Sequence, residues 1–146
     1  MCRISRGSDA AALYRLICEL EEKQLDQNGF YEIYRSQLEN PWYRCWVWEE
    51  DGLVVGMLNL RLERQLHHAR PAAEILEFAV LKSHRGKGIG RALFSQALDW
   101  AKENGCELLE VACNQKRTDA HRFYRTMGMA QSHYRFLLPL PQKRGV

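Results

Sequence analysis

The sequence predicts an α/β domain built on a mixed sheet. Amphipathic runs with apolar residues at helical spacing alternate with short runs rich in β-branched and aromatic residues. The order of these runs is β-α-α-β-β-β-α-β-α-β. Consecutive strands favour antiparallel hairpins, whereas strands separated by helices favour parallel pairing. We therefore expect a mixed central sheet of about six to seven strands flanked by about four helices.

The first half of the chain predicts two helices and a hairpin. Ser8-Asp9 is a candidate cap for a helix whose apolar face contains Leu13, Leu16, Ile17 and Leu20. A second, less regular helix is expected over roughly residues 29–39, ended by Asn40-Pro41. Asp51-Gly52 lies between two aromatic and β-branched runs, which is typical of a two-residue hairpin turn.

The second half predicts strands alternating with helices. Residues 73–80, "AEILEFAV", indicate a central strand, and residues 89–105 a long helix that stops at Asn104-Gly105. "CELLEVACN" predicts another strand, and residues 118–128 a short helix. "MAQSHYRFLLPL", residues 129–140, is expected to close the sheet as its last strand.

Chain length and composition restrict the class of protein. The 146 residues suffice for one domain with a buried core, so 1–146 is expected to be a single domain. No apolar run approaches the ~20 residues of a membrane span, and the N-terminus has no apolar segment of a secretory signal. These features predict a cytoplasmic protein without a membrane partner.

Charge and cysteine content exclude further classes. A net charge of +3, from scattered basic residues, argues against nucleic-acid binding. The cysteines number five, at wide spacings and without a CxxC motif. They predict reduced thiols rather than a disulfide framework or a zinc ribbon.

The segment "SHRGKGIGRALF", residues 83–94, predicts a phosphate-binding loop. Its glycines permit close backbone approach and positive φ, and its cations Arg85, Lys87 and Arg91 attract an anion. The helix that follows would turn its first N–H groups toward the same ligand. The spacing G-x-G-x-G fits neither a Walker A loop nor a dinucleotide fingerprint.

Arg85, Gly88 and Gly90 fit the pattern [RQ]-x-x-G-x-[GA] between a strand and a long helix. This loop resembles the acyl-CoA pyrophosphate loop of the GCN5-related N-acetyltransferase (GNAT) superfamily. Asn114 after a strand, and a short helix with Ala120, Tyr124 and a terminal Gly128, extend the resemblance over nearly the whole chain. It implies the GNAT fold, acetyl-CoA as cosubstrate, and direct acetyl transfer to an amine in a ternary complex.

Several further blocks resemble the bacterial aminoalkylphosphonate N-acetyltransferases. They are "ICEL" (17–20), "VVGM" (54–57), "LHH" (66–68), "KRTDAHRFY" (116–124) and "QSHYRF" (131–136). This resemblance implies a small-molecule amine bearing a phosphonate, within phosphonate metabolism. A homodimer and a divalent metal are implied by resemblance alone, and the sequence contains no dedicated metal site.

The candidate catalytic residues are one tyrosine and two glutamates. In the resembled family the residue matching Tyr124 protonates the departing thiolate; a core tyrosine with a satisfied hydroxyl is the alternative. Glu77 and Glu74 are the candidate bases, because burial in an apolar strand would raise the pKa of a carboxyl group. In a regular strand they face opposite sides, so only one faces the amine unless the strand bulges. Glu77 is preferred, with Glu74 then solvated or ion-paired.

The binding residues follow from the same resemblance. The backbone of Phe78, Ala79 and Val80 would hold the pantetheine arm and Asn114 its thiol end. The pyrophosphate would contact Arg85, Gly86, Lys87, Gly88, Ile89, Gly90 and Arg91. The candidate cations that would bind an anionic acceptor are His67, His68, Arg117 and His133, with His121 and Arg135 as further candidates. Exposed polar residues at a strand edge are the alternative interpretation of these side chains.

Two other functions stay open at this point. One is a GNAT enzyme acting on a polyamine, an amino sugar or a peptide N-terminus. The other is a non-catalytic acyl-CoA sensor, which would be expected to lack the acid that Tyr124 provides.

Overall fold

A computed structural model describes residues 1–142. Its contacts divide the chain into two compact units, one of residues 1–111 and one that begins at Ala112. The single-domain expectation for 1–146 stays a prediction.

The first unit contains a five-stranded sheet in the order β1-β2-β3-β4-β5. The strands are β1 (Cys2–Ile4), β2 (Tyr43–Glu50), β3 (Leu53–Arg64), β4 (Pro71–Val80) and β5 (Leu109–Val111). The first four pair antiparallel with their neighbours, and β5 runs parallel to β4. The mixed sheet is confirmed, and so is the hairpin turn at Asp51-Gly52, where both residues have positive φ. The expected number of about six to seven strands is wrong.

The missing strand is the closing one predicted over residues 129–140. Residues 129–142 form no strand, and the side chains of Tyr134, Phe136 and Leu138 are 83%, 92% and 83% exposed. The alternation of polar and apolar residues is a local property, whereas a strand also needs a partner for its backbone hydrogen bonds. The strand predicted over 106–114 is likewise reduced to Leu109–Val111.

The described residues contain four α-helices, which agrees with the expected number of about four. They are α1 (Ala10–Glu21), α2 (Gln27–Leu38) and α3 (Ile89–Glu103) in the first unit, and α4 (Thr118–Thr126) in the second. The α2 helix starts where the Asp26 carboxylate accepts a hydrogen bond of 2.9 Å from the Gly29 N–H, a cap that the sequence analysis did not identify. Among the described residues, no helix is both long and apolar enough to cross a membrane.

The sheet of the first unit is covered by helices on both faces. Leu13, Leu16 and Ile17 of α1 form a core cluster with Tyr34 of α2 and with side chains of β2, β3 and β4, among them Val47, Met57 and Ala79. The α3 helix packs on the opposite face. Because side chains alternate along a strand, Asn59 lies on the same face of β3 as Met57, toward α1 and α2.

Gly56 of β3 allows α3 to approach the sheet closely. A Cβ atom at this position would lie 3.2 Å from Ile89 Cγ2 and 3.3 Å from Leu93 Cδ1. The same Cβ would lie 3.4 Å from Val80 Cγ2. The glycine therefore fixes the first turn of α3 beside the end of β4, which is where the glycine-rich loop begins.

Candidate active site

The glycine-rich loop joins the end of β4 to the start of α3. Gly86 and Gly88 have φ of +77° and +83°, a region that side chains other than glycine rarely adopt. The first internal bond of α3 runs from Ala92 N–H to Gly88 O at 3.0 Å, so the preceding N–H groups form the helix N-terminus. Exposed Arg85, Lys87 and Arg91 surround this terminus. The arrangement is suited to a phosphate anion.

Arg85 ties the loop to the strand that precedes it. Its Nε donates a hydrogen bond of 3.1 Å to the carbonyl oxygen of Val80. The loop is therefore anchored at the last residue of β4.

The edge of β4 that faces β5 is paired over only part of its length. β5 pairs with β4 only at Ala73, Glu74 and Ile75. Over the described residues, no strand lies along the other part of this edge, which includes Phe78–Val80.

A β-bulge in β4 places the two candidate bases on one face. Glu77 pairs with Asn59 and Ile75 pairs with Leu60, which leaves Leu76 as the extra residue. Glu74 pairs with Arg61, two residues from Asn59, so both glutamates face the same side of the sheet. The opposite orientation expected of a regular strand is wrong, and the bulged alternative holds.

Glu77 is half-buried and hydrogen-bonded to a neutral donor. Asn59 is 6% exposed, and its Nδ2 lies 3.0 Å from Glu77 Oε1 and 2.9 Å from Gln37 Oε1. Burial raises the pKa of the Glu77 carboxyl, while the hydrogen bond from Asn59 works in the opposite direction. A carboxylate with a raised pKa is a stronger base than an ordinary glutamate.

Glu74 is held instead by a guanidinium. Arg61 Nη2 donates to Glu74 Oε1 at 2.7 Å and also contacts Glu63. The carboxylate oxygens of Glu63, Glu74 and Glu110 lie within 4.8 Å of one another, which is close enough to share a cation. Arg61 already binds two of these three side chains, so a divalent metal would have to compete with it. The cluster is therefore not a ready metal site.

A cavity of about 270 Å³ lies between α2 and β2. Its lining consists of Glu32, Ile33, Ser36, Gln37, Asn40 and Tyr43. Gln37 connects the cavity to β3, because its Oε1 accepts a hydrogen bond from Asn59 Nδ2. Asn59 in turn is bonded to Glu77, one of the candidate bases.

The second unit contains the candidate acid. Tyr124 is half-buried on α4, and burial raises the pKa of its hydroxyl to about 12. The hydroxyl is therefore protonated at neutral pH and able to donate. Asn114 begins the turn before α4: its Oδ1 accepts from Lys116 N–H, and its carbonyl oxygen lies 2.9 Å from His121 Nε2.

The candidate acceptor cations occupy several environments. His67 and His68 lie in a turn rather than a strand, and their rings are tilted by 39° with centroids 4.1 Å apart. His68 Nδ1 lies 3.3 Å from Glu107 Oε2. Arg117 and His133 belong to the second unit, where Arg117 occupies the N-cap of α4 and His133 is exposed.

The cysteines are all free thiols, as expected. Cys45 is buried, which raises its pKa to about 12. A thiol that stays protonated is a poor nucleophile, so its environment does not favour an acyl-enzyme.

Three residues that position the site escaped the sequence analysis. The sequence contains a signal for Asn59, because Asn59, Arg61 and Glu63 alternate with leucines along β3. Gly56 had one too, because an interior strand glycine often marks a close approach. Gln37 had none, because its role depends on how α2 packs.

Comparisons with known proteins place these observations in a family. A sequence model of the Acetyltransferase (GNAT) family matches residues 10–129. The aminoalkylphosphonate N-acetyltransferase of Salmonella typhimurium is 41% identical over 92% of this chain and 87% of its own length. An uncharacterized N-acetyltransferase of Bacillus subtilis is 25% identical over 96% of this chain and 98% of its own.

The fold has solved counterparts as well. An acetyltransferase from Trypanosoma brucei superposes with a TM-score of 0.80 at 22% identity, covering 96% of this chain and 99% of that one. The family match over most of the chain and the similarity to the Salmonella enzyme lead to one conclusion: this chain belongs to the GNAT family of acetyltransferases.

Proposed function

We propose that this protein transfers the acetyl group of acetyl-CoA to the primary amine of a small aminoalkylphosphonate. The observation that carries this proposal is the identity shared with the Salmonella aminoalkylphosphonate N-acetyltransferase along almost the whole chain. The enzyme class follows from the family, and the acceptor is the part that needs a test.

The glycine-rich loop would bind the pyrophosphate of acetyl-CoA. Gly86 and Gly88 precede α3 and have positive φ. A Cβ atom built at either residue would have no atom within 4 Å apart from those of its chain neighbours, so there is space for a ligand beside the backbone. Arg85, Lys87 and Arg91 supply the countercharge. The backbone of Phe78–Val80 would bind the pantetheine arm, and Asn114 would bind near its thiol end.

Glu77 is proposed as the base. An alkyl ammonium group has a pKa near ~10.4 and carries no lone pair at neutral pH, so a proton must leave before the nitrogen can attack. Glu77 would take that proton, directly or through a water molecule. Glu74, engaged by Arg61, is the alternative base.

The acyl transfer itself would need one acid. The amine nitrogen forms a bond to the acetyl carbon as the carbon–sulfur bond breaks, and the nitrogen loses its second proton to solvent. Tyr124 would donate its hydroxyl proton to the departing thiolate and recover one from solvent. No bond to the protein forms at any step.

A phosphonate acceptor needs cations or hydrogen-bond donors. We propose that these come from among His67, His68, Arg117 and His133. The homodimer and the cytoplasmic location stay predictions.

Mass spectrometry of reaction products tests the proposal. Acetyl-CoA is incubated with aminomethylphosphonate, 2-aminoethylphosphonate, spermidine, glucosamine or a short peptide, with and without Mg²⁺ or Mn²⁺. We expect acetylated phosphonates. Acetylation of another amine alone would keep the enzyme class and reject the acceptor, and acetyl-CoA binding without any product would favour a sensor.

A further inference from the structure

Asn59 occupies a position on β3 where a polar side chain is costly. The residue is 6% exposed and is surrounded along the strand by Leu58 and Leu60, which are fully buried. A buried amide is tolerated only when its hydrogen bonds are made. Its contacts therefore indicate what the residue does.

Both N–H groups of the Asn59 amide are used. Nδ2 carries two hydrogens, and it lies at hydrogen-bond distance from two acceptors, Glu77 Oε1 at 3.0 Å and Gln37 Oε1 at 2.9 Å. The bond to Gln37 fixes the plane of the amide, and the bond to Glu77 fixes one carboxylate oxygen. The second oxygen of Glu77 is not engaged by Asn59.

Strand pairing makes this contact possible. The bulge at Leu76 brings Glu77 opposite Asn59, whereas a regular strand would turn Glu77 to the other face. The hydrogen bond therefore spans a cross-strand pair, and it connects β4 through β3 to α2.

We propose that Asn59 is a positioning residue for the catalytic base: its amide, held from α2 by Gln37, fixes the orientation and protonation of Glu77. This inference rests on the proposed function, in which Glu77 removes the proton from the amine. It also links α2, which lines the cavity beside β2, to the chemistry on β4.

Several charged or titratable groups face Glu77. Glu21 of α1 and Glu74 of β4 raise its pKa, and Arg61 of β3 lowers it. The thiol of Cys45 on β2 also interacts with Glu77, and α2 contributes the neutral Gln37. Burial is the dominant influence and raises the pKa, so the Asn59 hydrogen bond is the nearest contact that favours the ionised form.

The sign of the effect follows from these contacts. Loss of the Asn59 hydrogen bond destabilises the carboxylate and removes the largest influence that opposes burial, so the pKa of Glu77 rises further. A base with a higher pKa is protonated up to a higher pH. The acidic limb of the kcat/KM profile, which reports the free enzyme, should therefore move to higher pH.

The experiment compares pH profiles of kcat/KM for the best acceptor of the product assay. For Asn59→Leu, which keeps the volume and removes the donor, we expect the midpoint of the acidic limb to rise by about one pH unit. Gln37→Leu should shift it in the same direction by a smaller amount. Gln27→Leu, also on α2 but bonded only within that helix to Tyr31, is the matched control and should leave the midpoint unchanged.

Glu77→Gln separates failure of this inference from failure of the proposed base. If Glu77→Gln retains the acidic limb, Glu77 is not the base, and both the assignment of Glu77 and the positioning role of Asn59 are overturned. If Glu77→Gln abolishes the limb while Asn59→Leu and Gln37→Leu leave it in place, only the positioning role is overturned. Should Asn59→Leu fail to fold, the Gln37→Leu profile decides by itself. In the Glu77→Gln background, Asn59→Leu should cause no further loss of kcat.

Discussion

The glycine-rich loop and the Asn59–Glu77 pair differ in how they are built. The loop is continuous in sequence, exposed and cationic, and its conformation depends on positive φ at Gly86 and Gly88. The pair joins two strands, lies on the face covered by α1 and α2, and depends on one bulge and one buried amide. A ligand-binding loop can thus be encoded locally, whereas a base with an adjusted pKa has to be assembled by tertiary structure.

The largest effect is expected at the assembled site. Glu77→Gln removes the proposed base and should lower kcat by about 10²- to 10³-fold. Glu74→Gln, on the same face but ion-paired with Arg61, is the matched control and should lower kcat less than about tenfold. Steady-state kinetics would measure both. Equal losses would mean that the two carboxylates act together, and a larger loss at Glu74 would exchange their roles.

Removal of the proposed acid should have the next largest effect. Tyr124→Phe should lower kcat by about 10²-fold with little change in KM, because the hydroxyl acts on the departing thiolate. Since the pKa of Tyr124 is raised to about 12, this tyrosine should cause no alkaline decline of kcat up to about pH 10. Tyr134→Phe, at an 83% exposed residue of the same unit, serves as the control. Similar behaviour of the two variants would remove Tyr124 from the mechanism.

Substitutions in the glycine-rich loop should change KM for acetyl-CoA rather than kcat. Gly88→Ala forces a side chain into positive φ and should raise KM for acetyl-CoA about tenfold. Gly52→Ala, at φ +78° in the β2–β3 turn, introduces the same kind of strain away from the loop. It should lose similar stability, by about 1 kcal/mol, and leave KM unchanged. An equal rise of KM in both variants would assign the effect to global stability.

Gly56 lies where α3 packs on β3, and a substitution there should affect stability and have the smallest effect on catalysis. Gly56→Val places methyl groups against Ile89 and Leu93, and should lower the free energy of unfolding by about 2 kcal/mol. Gly7→Val, where a Cβ meets nothing within 4 Å, should change it by less than about 0.5 kcal/mol. Urea denaturation followed by circular dichroism compares the two variants. No difference between them would show that α3 adjusts without cost.

Local sequence patterns predicted much of the fold. The helices over α1, α3 and α4, the hairpin at Asp51-Gly52 and the glycine-rich loop all follow from periodicity and turn residues within a short window. The closing strand over 129–140 was predicted from the same kind of pattern and is absent, because a strand also depends on a partner.

The candidate site was predicted in part. Glu74 and Glu77 were identified as the possible bases, but their common face depends on the bulge at Leu76, for which the residues "EILEF" contain no clear signal. The amide partner of Glu77 could have been suspected from the polar residues at alternate positions of β3. The other partner of Asn59 is Gln37, which lies on a helix more than twenty residues away along the chain. Only packing brings Asn59 and Gln37 together.

A competition assay tests the central claim, acetylation of an aminoalkylphosphonate, most directly. The protein receives acetyl-CoA with equal concentrations of 2-aminoethylphosphonate and 3-methylbutylamine, an amine of similar size without the anion, and the products are quantified by mass spectrometry. The account predicts that the acetylated phosphonate exceeds the other product by at least about tenfold, since a buried or focused cation discriminates strongly for an anion. Equal acetylation of the two amines, or a preference for the uncharged chain, would contradict it.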